Sequence, residues 1–416
     1  MIQCTLRNNW LSFFAREETD PVLTKKVKRN ILTMQGFYLL TFFGIGSLFP
    51  LLSVYLSEVE HLKGYQIGTI MSVSPIMMIF FQPIWGIISD KTNSPVKVLS
   101  ITTFLSGVFS LGYLLFSSYY LFVLVAVLVA LFQSAIIPIS DSLSLKYTSK
   151  VRVHYGNVRL FGSLGFGLAV FIMGRLSETN ETVIFYAFFI ALTVSSFLGG
   201  QLPQEKVAGN KHVISGMREI FTYKKFIIFL MITFMIFGPN LANNVYFGLF
   251  VADRGGTYTG IGIAFLIAVL SEIPFMRFSG GWIEKLGLMP IATLAGIISL
   301  IRWLFYYTEP SLAVVYITSV LQGLSVGLFI PAALQYIRAI TPIHMAASAI
   351  TIYSAIGNGL GNWFSTFFGG IIYDQFNIST VYLFFSILAF IGVALNIWLI
   401  NIEKMEQGRE SVILRN

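Results

Sequence analysis

Continuous apolar runs recur along this chain from Ile31 to its C-terminal end, and they are close to the ~20 residues a helix needs to cross ~30 Å of hydrocarbon. Inside a bilayer no water pairs with exposed backbone groups, so only helices and closed barrels can span it. A barrel strand alternates apolar and polar residues with period two, and these runs do not. Helices are therefore expected. Composition points the same way: 11% of the 416 residues are charged, whereas a soluble domain carries roughly 25%. The fold class is an all-α polytopic membrane protein, with twelve transmembrane helices at about 31–56, 65–88, 98–117, 120–145, 155–174, 182–200, 226–252, 260–283, 290–307, 311–337, 345–372 and 380–401. The first run follows Lys25, Lys26, Lys28 and Arg29, but it is too long for the core of a secretory signal and no small-residue cleavage site follows it. It reads as a retained span. The lone cysteine, Cys4, excludes an intrachain disulfide and a thiolate metal site, and neither a cofactor nor a metal is expected.

Twelve spans place both termini on one side, and the basic residues say which. Of 27, 21 fall in the two tails and in the loops at 89–97, 146–154, 201–225, 284–289 and 338–344. The opposite loops hold three, Lys63, Arg175 and Arg254, while Arg159, Arg277 and Arg302 lie within spans. Short cytoplasmic loops retain Lys and Arg, so both termini are expected in the cytoplasm, the bilayer being the cytoplasmic membrane of a bacterium. The net charge of +8 is then topology and contact with anionic headgroups, not a nucleic-acid footprint.

The longest polar connection, QLPQEKVAGNKHVISGMREIFTYKK, separates spans six and seven. The expected division is a cytoplasmic N-tail 1–30, a six-helix bundle 31–200, a cytoplasmic central loop 201–225, a second six-helix bundle 226–402 and a cytoplasmic C-tail 403–416. The halves repeat. Shifted by 194 residues, Phe43 and Gly44 fall on Phe237 and Gly238, Gly86, Asp90 and Lys91 on Gly280, Glu284 and Lys285, and Gly165 and Gly167 on Gly359 and Gly361. Two pseudo-symmetric bundles of this kind are a transporter architecture.

GIISDKTNSPVK at 86–97 resembles the loop signature of the major facilitator superfamily between spans two and three, and GGWIEK at 280–285 is a weaker second copy. Asn93 and Ser94 stand where that family usually has glycine and arginine. GSLFPLLSVYL at 46–56, FQPIWGIISDK at 81–91 and YGNVRLFGSLGFGL at 155–168 are similar to the lactose-permease and phenylpropionate-permease branch, proton symporters of sugars or aromatic acids. The resemblance implies a secondary transporter working by alternating access as a monomer. Its solute is a sugar, nucleoside or aromatic acid, with proton coupling expected and sodium coupling, proton-driven efflux or uncoupled facilitation as alternatives. It also implies a gating loop formed by Gly86, Asp90, Lys91, Gly280, Glu284 and Lys285. Gly86 suits close helix approach, as small residues do in membranes.

Ionisable groups in hydrocarbon need a partner or an aqueous cavity. Asp141 and Arg159 lie nine residues either side of position 150, and Glu272 and Arg302 fifteen either side of Gly287. Consecutive spans are antiparallel, so each acid is expected at the depth of its base, one pair per half. The resemblance places Asp141 and Arg159 at sugar-contacting positions; a structural ion pair is the alternative. Glu272 is the expected coupling group, with Asp141 as the other buried acid. Where lactose permease carries a titrating histidine and glutamate in span ten, this chain has Gln322 and Ser325.

Asn240, Asn243 and Asn244 share one face of span seven. With Arg302, Gln322 and Asn358, and with Trp303 and Trp363 beside them, they can bind a polyhydroxylated or aromatic solute; interhelical bonding is the competing reading. Trp85, Trp282 and Trp398 are expected as interfacial anchors. A membrane enzyme is disfavoured because all four histidines fall in or beside loops. No Gly-x-x-x-x-Gly-Lys loop occurs to bind a nucleotide.

Overall fold

Twelve helical spans follow one another in the computed structural model, which describes residues 25–204, 221–342 and 345–413. The tail before Lys25, with Cys4, the stretch 205–220 of the central loop, His344 and the last three residues lie outside the described residues. Numbered by span, the helices are α1 Lys25–Glu58, α2 Gly64–Thr92, α3 Pro95–Leu115, α4 Tyr119–Lys150, α5 Gly156–Ser177, α6 Val183–Gly200, α7 Lys224–Asp253, α8 Tyr258–Leu286, α9 Leu288–Tyr307, α10 Leu312–Ile340 and α12 Ile378–Ile413. The remaining span, α11, is Ala346–Ser354 and Asn362–Gln375 joined by a π-helical stretch, Ala355–Gly361.

Local chemistry sets the ends. The Gln66 side chain accepts the Lys63 N–H at 2.9 Å and starts α2. Pro95 opens α3, where its missing N–H costs nothing. The Thr257 hydroxyl accepts the Gly260 N–H at 3.2 Å, and Gly287, at φ 91°, stops α8. Two ends run beyond expectation. The basic residues at 25–29 continue α1, because Lys and Arg are good helix formers in water. Past residue 402, α12 continues because Tyr336 donates to Glu403 at 2.6 Å and Lys225 pairs with Glu406 at 2.5 Å.

Within the N-terminal half α1 packs on α5 and α6, α3 on α4 and α6, and α2 on α4. The other half repeats this with α7 on α11 and α12, α9 on α10 and α12, and α8 on α10. Contacts follow the repeat in detail and correct its register. A Cβ on Gly162 would meet Phe42 at 3.0 Å, and one on Gly357 would meet Phe237 at 3.2 Å. Gly165 lies against the Leu39 carbonyl as Gly361 lies against that of Phe234. The shift is 195 residues for Phe42, Leu39 and Gly162, and 196 for Gly165. The shift of 194 is therefore one residue short at Phe42, Leu39 and Gly162 and two short at Gly165, and the π-helical stretch holds the second of these residues.

The halves meet through α2 with α11, α5 with α8, and α1 with α7. On the face away from the termini this contact is tight. Gly64 would bring a Cβ within 2.6 Å of the Asp374 backbone, Gly68 within 2.7 Å of Gly370, and Gly174 within 2.6 Å of the Tyr258 carbonyl. One apolar cluster runs unbroken across both halves there, from Leu51 and Val54 to Phe250 and Ile261. Toward the terminus-bearing face the core divides into two clusters, one per half. Gly86, Gly156 and Gly280 there would meet nothing within 4 Å. A cleft therefore opens on the terminus-bearing face. The close approach expected at Gly86 is absent in this arrangement because the halves stand apart there.

Candidate functional site

In the N-terminal half the structure brings Asp141 of α4 and Arg159 of α5 together, as the matched depths predicted. Arg159 Nε lies 3.9 Å from Asp141 Oδ1, and the side chains are 32% and 31% exposed. That separation is loose for an ion pair, since a charge-assisted bond runs at about 2.7–2.9 Å. The short bond to Asp141 comes from the Tyr38 hydroxyl at 2.6 Å. The guanidinium instead lies over aromatic rings, its Cζ 4.2 Å from the centre of Phe42 and 5.6 Å from that of Tyr38. Tyr155 packs edge-on against Tyr38 at 6.5 Å. The result is an acid and a base, both reachable from the cleft, in an aromatic surround drawn from α1 and α5.

Glu272 corrects the second expected pair. It makes no ion pair within 4.0 Å among the described residues, and Arg302 is held by Gln322 of its own half instead. Direct packing of α5 on α8, with Gly167 against Leu266 and Val269, sets the Glu272-bearing helix against that of Arg159. On its other side α8 is pressed by α10. A Cβ on Gly323 would meet the Glu272 backbone nitrogen at 2.6 Å, and one on Gly327 the Glu272 carbonyl at 3.0 Å. Equal distance from a turn fixed depth but not direction, and the α8–α9 pair diverges. Asp141 and Arg159 therefore lie in one half, and Glu272 lies on the helix of the other half that packs on α5.

The C-terminal half gathers amides. Arg302 Nη1 and Asn243 Nδ2 both donate to Gln322 Oε1 at 3.1 Å, and Gln322 Nε2 donates to Asn244 at 3.4 Å. Tyr382 donates to Asn243 Oδ1 at 3.3 Å. Arg302 is 1% exposed, and its Nε and Nη2 have no partner among the described residues. Asn243 is 0% exposed and Trp303 is fully buried, so both belong to the bundle interior. Asn240 is buried too, donating to Ser299 at 3.0 Å and to the Ile236 carbonyl at 2.9 Å. Ser299 in turn shares a 2.5 Å bond with Ser325. Asn244 and Gln322 are the half-exposed members. Asn358 stands apart on the π-helical stretch of α11, donating to Ser354 at 3.0 Å.

At the terminus-bearing ends of α2 and α8, Lys91, Gly280, Glu284 and Lys285 are exposed, and the Asp90 carbonyl accepts the Asn93 N–H at 3.3 Å. Trp85 is not an interfacial anchor: it donates to the Leu131 carbonyl at 2.7 Å and packs on Phe132, inside the N-terminal half. Sequence reasoning missed Tyr38, Phe42, Tyr155 and Tyr382. For the first two a signal existed, since aromatics four apart on span one share a helix face; the others are settled only by packing.

This geometry has known counterparts. A family model described as the MFS_1-like family matches residues 31–384. The uncharacterized transporter YwbF of Bacillus subtilis is 49% identical over 383 residues, covering 91% of this chain and 96% of that protein. The maltose permease of Geobacillus stearothermophilus is 46% identical over 359 residues, covering 86% and 91%. Among solved structures the nucleoside transporter NupG superposes with a TM-score of 0.78 at 17% identity, covering 88% of this chain and 98% of that one, which speaks for the fold alone. Two six-helix halves around a cleft with paired intramembrane charges, and relatives this close along nearly the whole length, place the chain in the major facilitator superfamily, as a multi-pass membrane transporter of a small solute and not an enzyme.

Proposed function

We propose that this protein imports a disaccharide of the maltose kind together with protons, as a monomer with both termini in the cytoplasm. The observation that carries the reading is the half-exposed Asp141–Arg159 pair of one half, whose arginine lies on a helix that packs directly against the Glu272-bearing helix of the other. A carboxylate and a guanidinium, each a third exposed, offer the acceptors and the planar donors that vicinal hydroxyls take. Glu272 takes the proton. Its neutralisation leaves the Arg159 guanidinium to Asp141 and the sugar. Asn244 and Gln322 complete the site from the other half, and Asn240, Asn243 and Arg302 support them from behind. The name of the maltose permease relative favours a disaccharide over a nucleoside or an aromatic acid. The 21-to-3 division of basic residues supports the orientation. Gating by the Gly86–Lys91 and Gly280–Lys285 segments requires the terminus-bearing face to close on them.

Gln322 and Ser325 favour a second reading, uncoupled facilitation, because neither titrates. Proteoliposomes loaded with purified protein separate the two. Under an imposed pH gradient, labelled maltose accumulates above the medium and a protonophore abolishes the accumulation. Glu272→Gln loses accumulation and keeps exchange of labelled for unlabelled sugar. Exchange without accumulation in the unaltered protein would establish facilitation, and accumulation on a sodium gradient alone would replace the proton.

A further inference from the structure

Arg159 raises a question of restraint. It lies beside an acid yet does not close on it, standing 3.9 Å from Asp141. What it does touch is Phe42, with the guanidinium carbon 4.2 Å from the ring centre. The slot that permits this is cut by Gly162, one turn further along the same helix. A Cβ there would meet Arg159 Nη1 at 2.6 Å and Phe42 Cδ2 at 3.0 Å. Helices α1 and α5 are close enough to form the slot because Gly165 lies directly on the Leu39 carbonyl.

We infer that Phe42 and Gly162 are positioning residues that hold Arg159 flat on the Phe42 ring, so that its N–H edges stay free for solute. The inference rests on the sugar-binding reading of Arg159. The attraction between a cation and a ring face is weaker and less directional than an ion pair. It therefore holds the guanidinium without consuming its donors, which a bidentate bond to Asp141 would do. Tyr38 assists from the acid's side: by donating to Asp141 Oδ1 at 2.6 Å it occupies the oxygen nearest Arg159. Solute hydroxyls then meet an arginine whose plane is already set, which lowers the ordering cost of binding.

Two readouts test this, one of them independent of any solute. Purified full-length protein is treated with phenylglyoxal, and modification of Arg159 is followed by mass spectrometry. Phe42→Leu keeps bulk and apolarity but has no ring face, so the guanidinium closes on Asp141 and is expected to react about five- to tenfold more slowly at Arg159. Phe42→Tyr restores the wild-type rate. Gly162→Ala slows the reaction as well, by pushing the guanidinium off the ring. In exchange assays Phe42→Leu raises the maltose KM about five- to tenfold with little change in maximal rate, and Phe42→Tyr brings it back. Wild-type labelling in Phe42→Leu, or failure of Phe42→Tyr to restore either value, overturns the inference. Absence of maltose exchange in the unaltered protein strikes the sugar reading instead and leaves labelling to judge the positioning.

Discussion

Arg159 of α5 and Arg302 of α9, one in each half, are housed in opposite ways. Arg159 is 32% exposed, lies on an aromatic face and has an acid at 3.9 Å. Arg302 is 1% exposed, holds one amide oxygen at 3.1 Å and leaves two nitrogens unpartnered among the described residues. Burying a cation without a counter-ion costs several kcal/mol by most estimates, so the C-terminal half gives up stability at Arg302 that the N-terminal half does not give up at Arg159. The difference teaches which charge can meet a solute directly. Arg159 opens on the cleft, whereas Arg302 acts through Gln322, whose oxygen it polarises and whose amide turns toward Asn244.

The largest effect is expected where that contrast is broken at Arg159. Arg159→Lys keeps the charge but lacks the planar fork. Hydrogen bonds to charged groups are worth about 1.5–3 kcal/mol each, so transport efficiency for maltose is expected to fall on the order of 100-fold. The thermal midpoint of the purified protein should stay within about 2 °C of the unaltered one, because a third-exposed side chain contributes little to the core. Asp141→Asn should behave similarly. A fall in midpoint that tracks the fall in transport, in both variants, would assign the pair to structure.

Arg302 is expected to answer in the reverse sense. Replacing a buried, under-satisfied charge by an apolar residue of similar length is often neutral or stabilising by about 1–4 kcal/mol. Arg302→Met should therefore raise the thermal midpoint by a few degrees, while Gln322 keeps the donor from Asn243. Transport should fall, because the carbonyl that Arg302 held is free to turn. A variant that is both less stable and fully active would show that the arginine serves packing alone.

How far the sequence reaches follows the same division. Spans, halves and the Asp141–Arg159 pair were legible because each depends on a one-dimensional quantity: run length, charge placement and distance from a turn. The partner of Glu272 was not, because direction around a helix decides it. Arg302 is turned into the amide cluster of its own half, while Glu272 lies on the helix that packs across to α5. The repeat was visible but one to two residues out at the contacts, and one of those residues belongs to a π-helical stretch that no motif announces. Polar residues on span seven were read as one face, and the packing divides them. Asn240 and Asn243 bond inward, and Asn244 is left toward the cleft.

The smallest expected effect lies outside the bilayer, where the two halves touch on the closed face. Glu178, just past the end of α5, accepts the Thr259 N–H at 2.8 Å and so caps the first turn of α8 from the opposite half. A carboxylate there also meets the positive end of the helix dipole. Burial pushes its pKa up, but the bonds from Thr259 and Thr257 and the nearby Arg175 outweigh it and hold the carboxyl below its ordinary value. A lowered pKa means that the contact is complete above the ordinary carboxyl range, about pH 4.3, and is lost as pH falls through the lowered value. Because Glu178 is exposed, solvent screening limits the gain to a few tenths of a kcal/mol. Glu178→Gln should therefore loosen the closed face only about twofold at pH 7. Maleimide labelling of a cysteine placed at Ile261, which is 1% exposed, reads that opening in a Cys4→Ser background. The variant should label faster than the parent at pH 7, and the ratio should shrink toward one as pH falls through the lowered carboxyl value. A ratio that stays constant with pH would mean that the carboxylate charge plays no part in keeping that face shut.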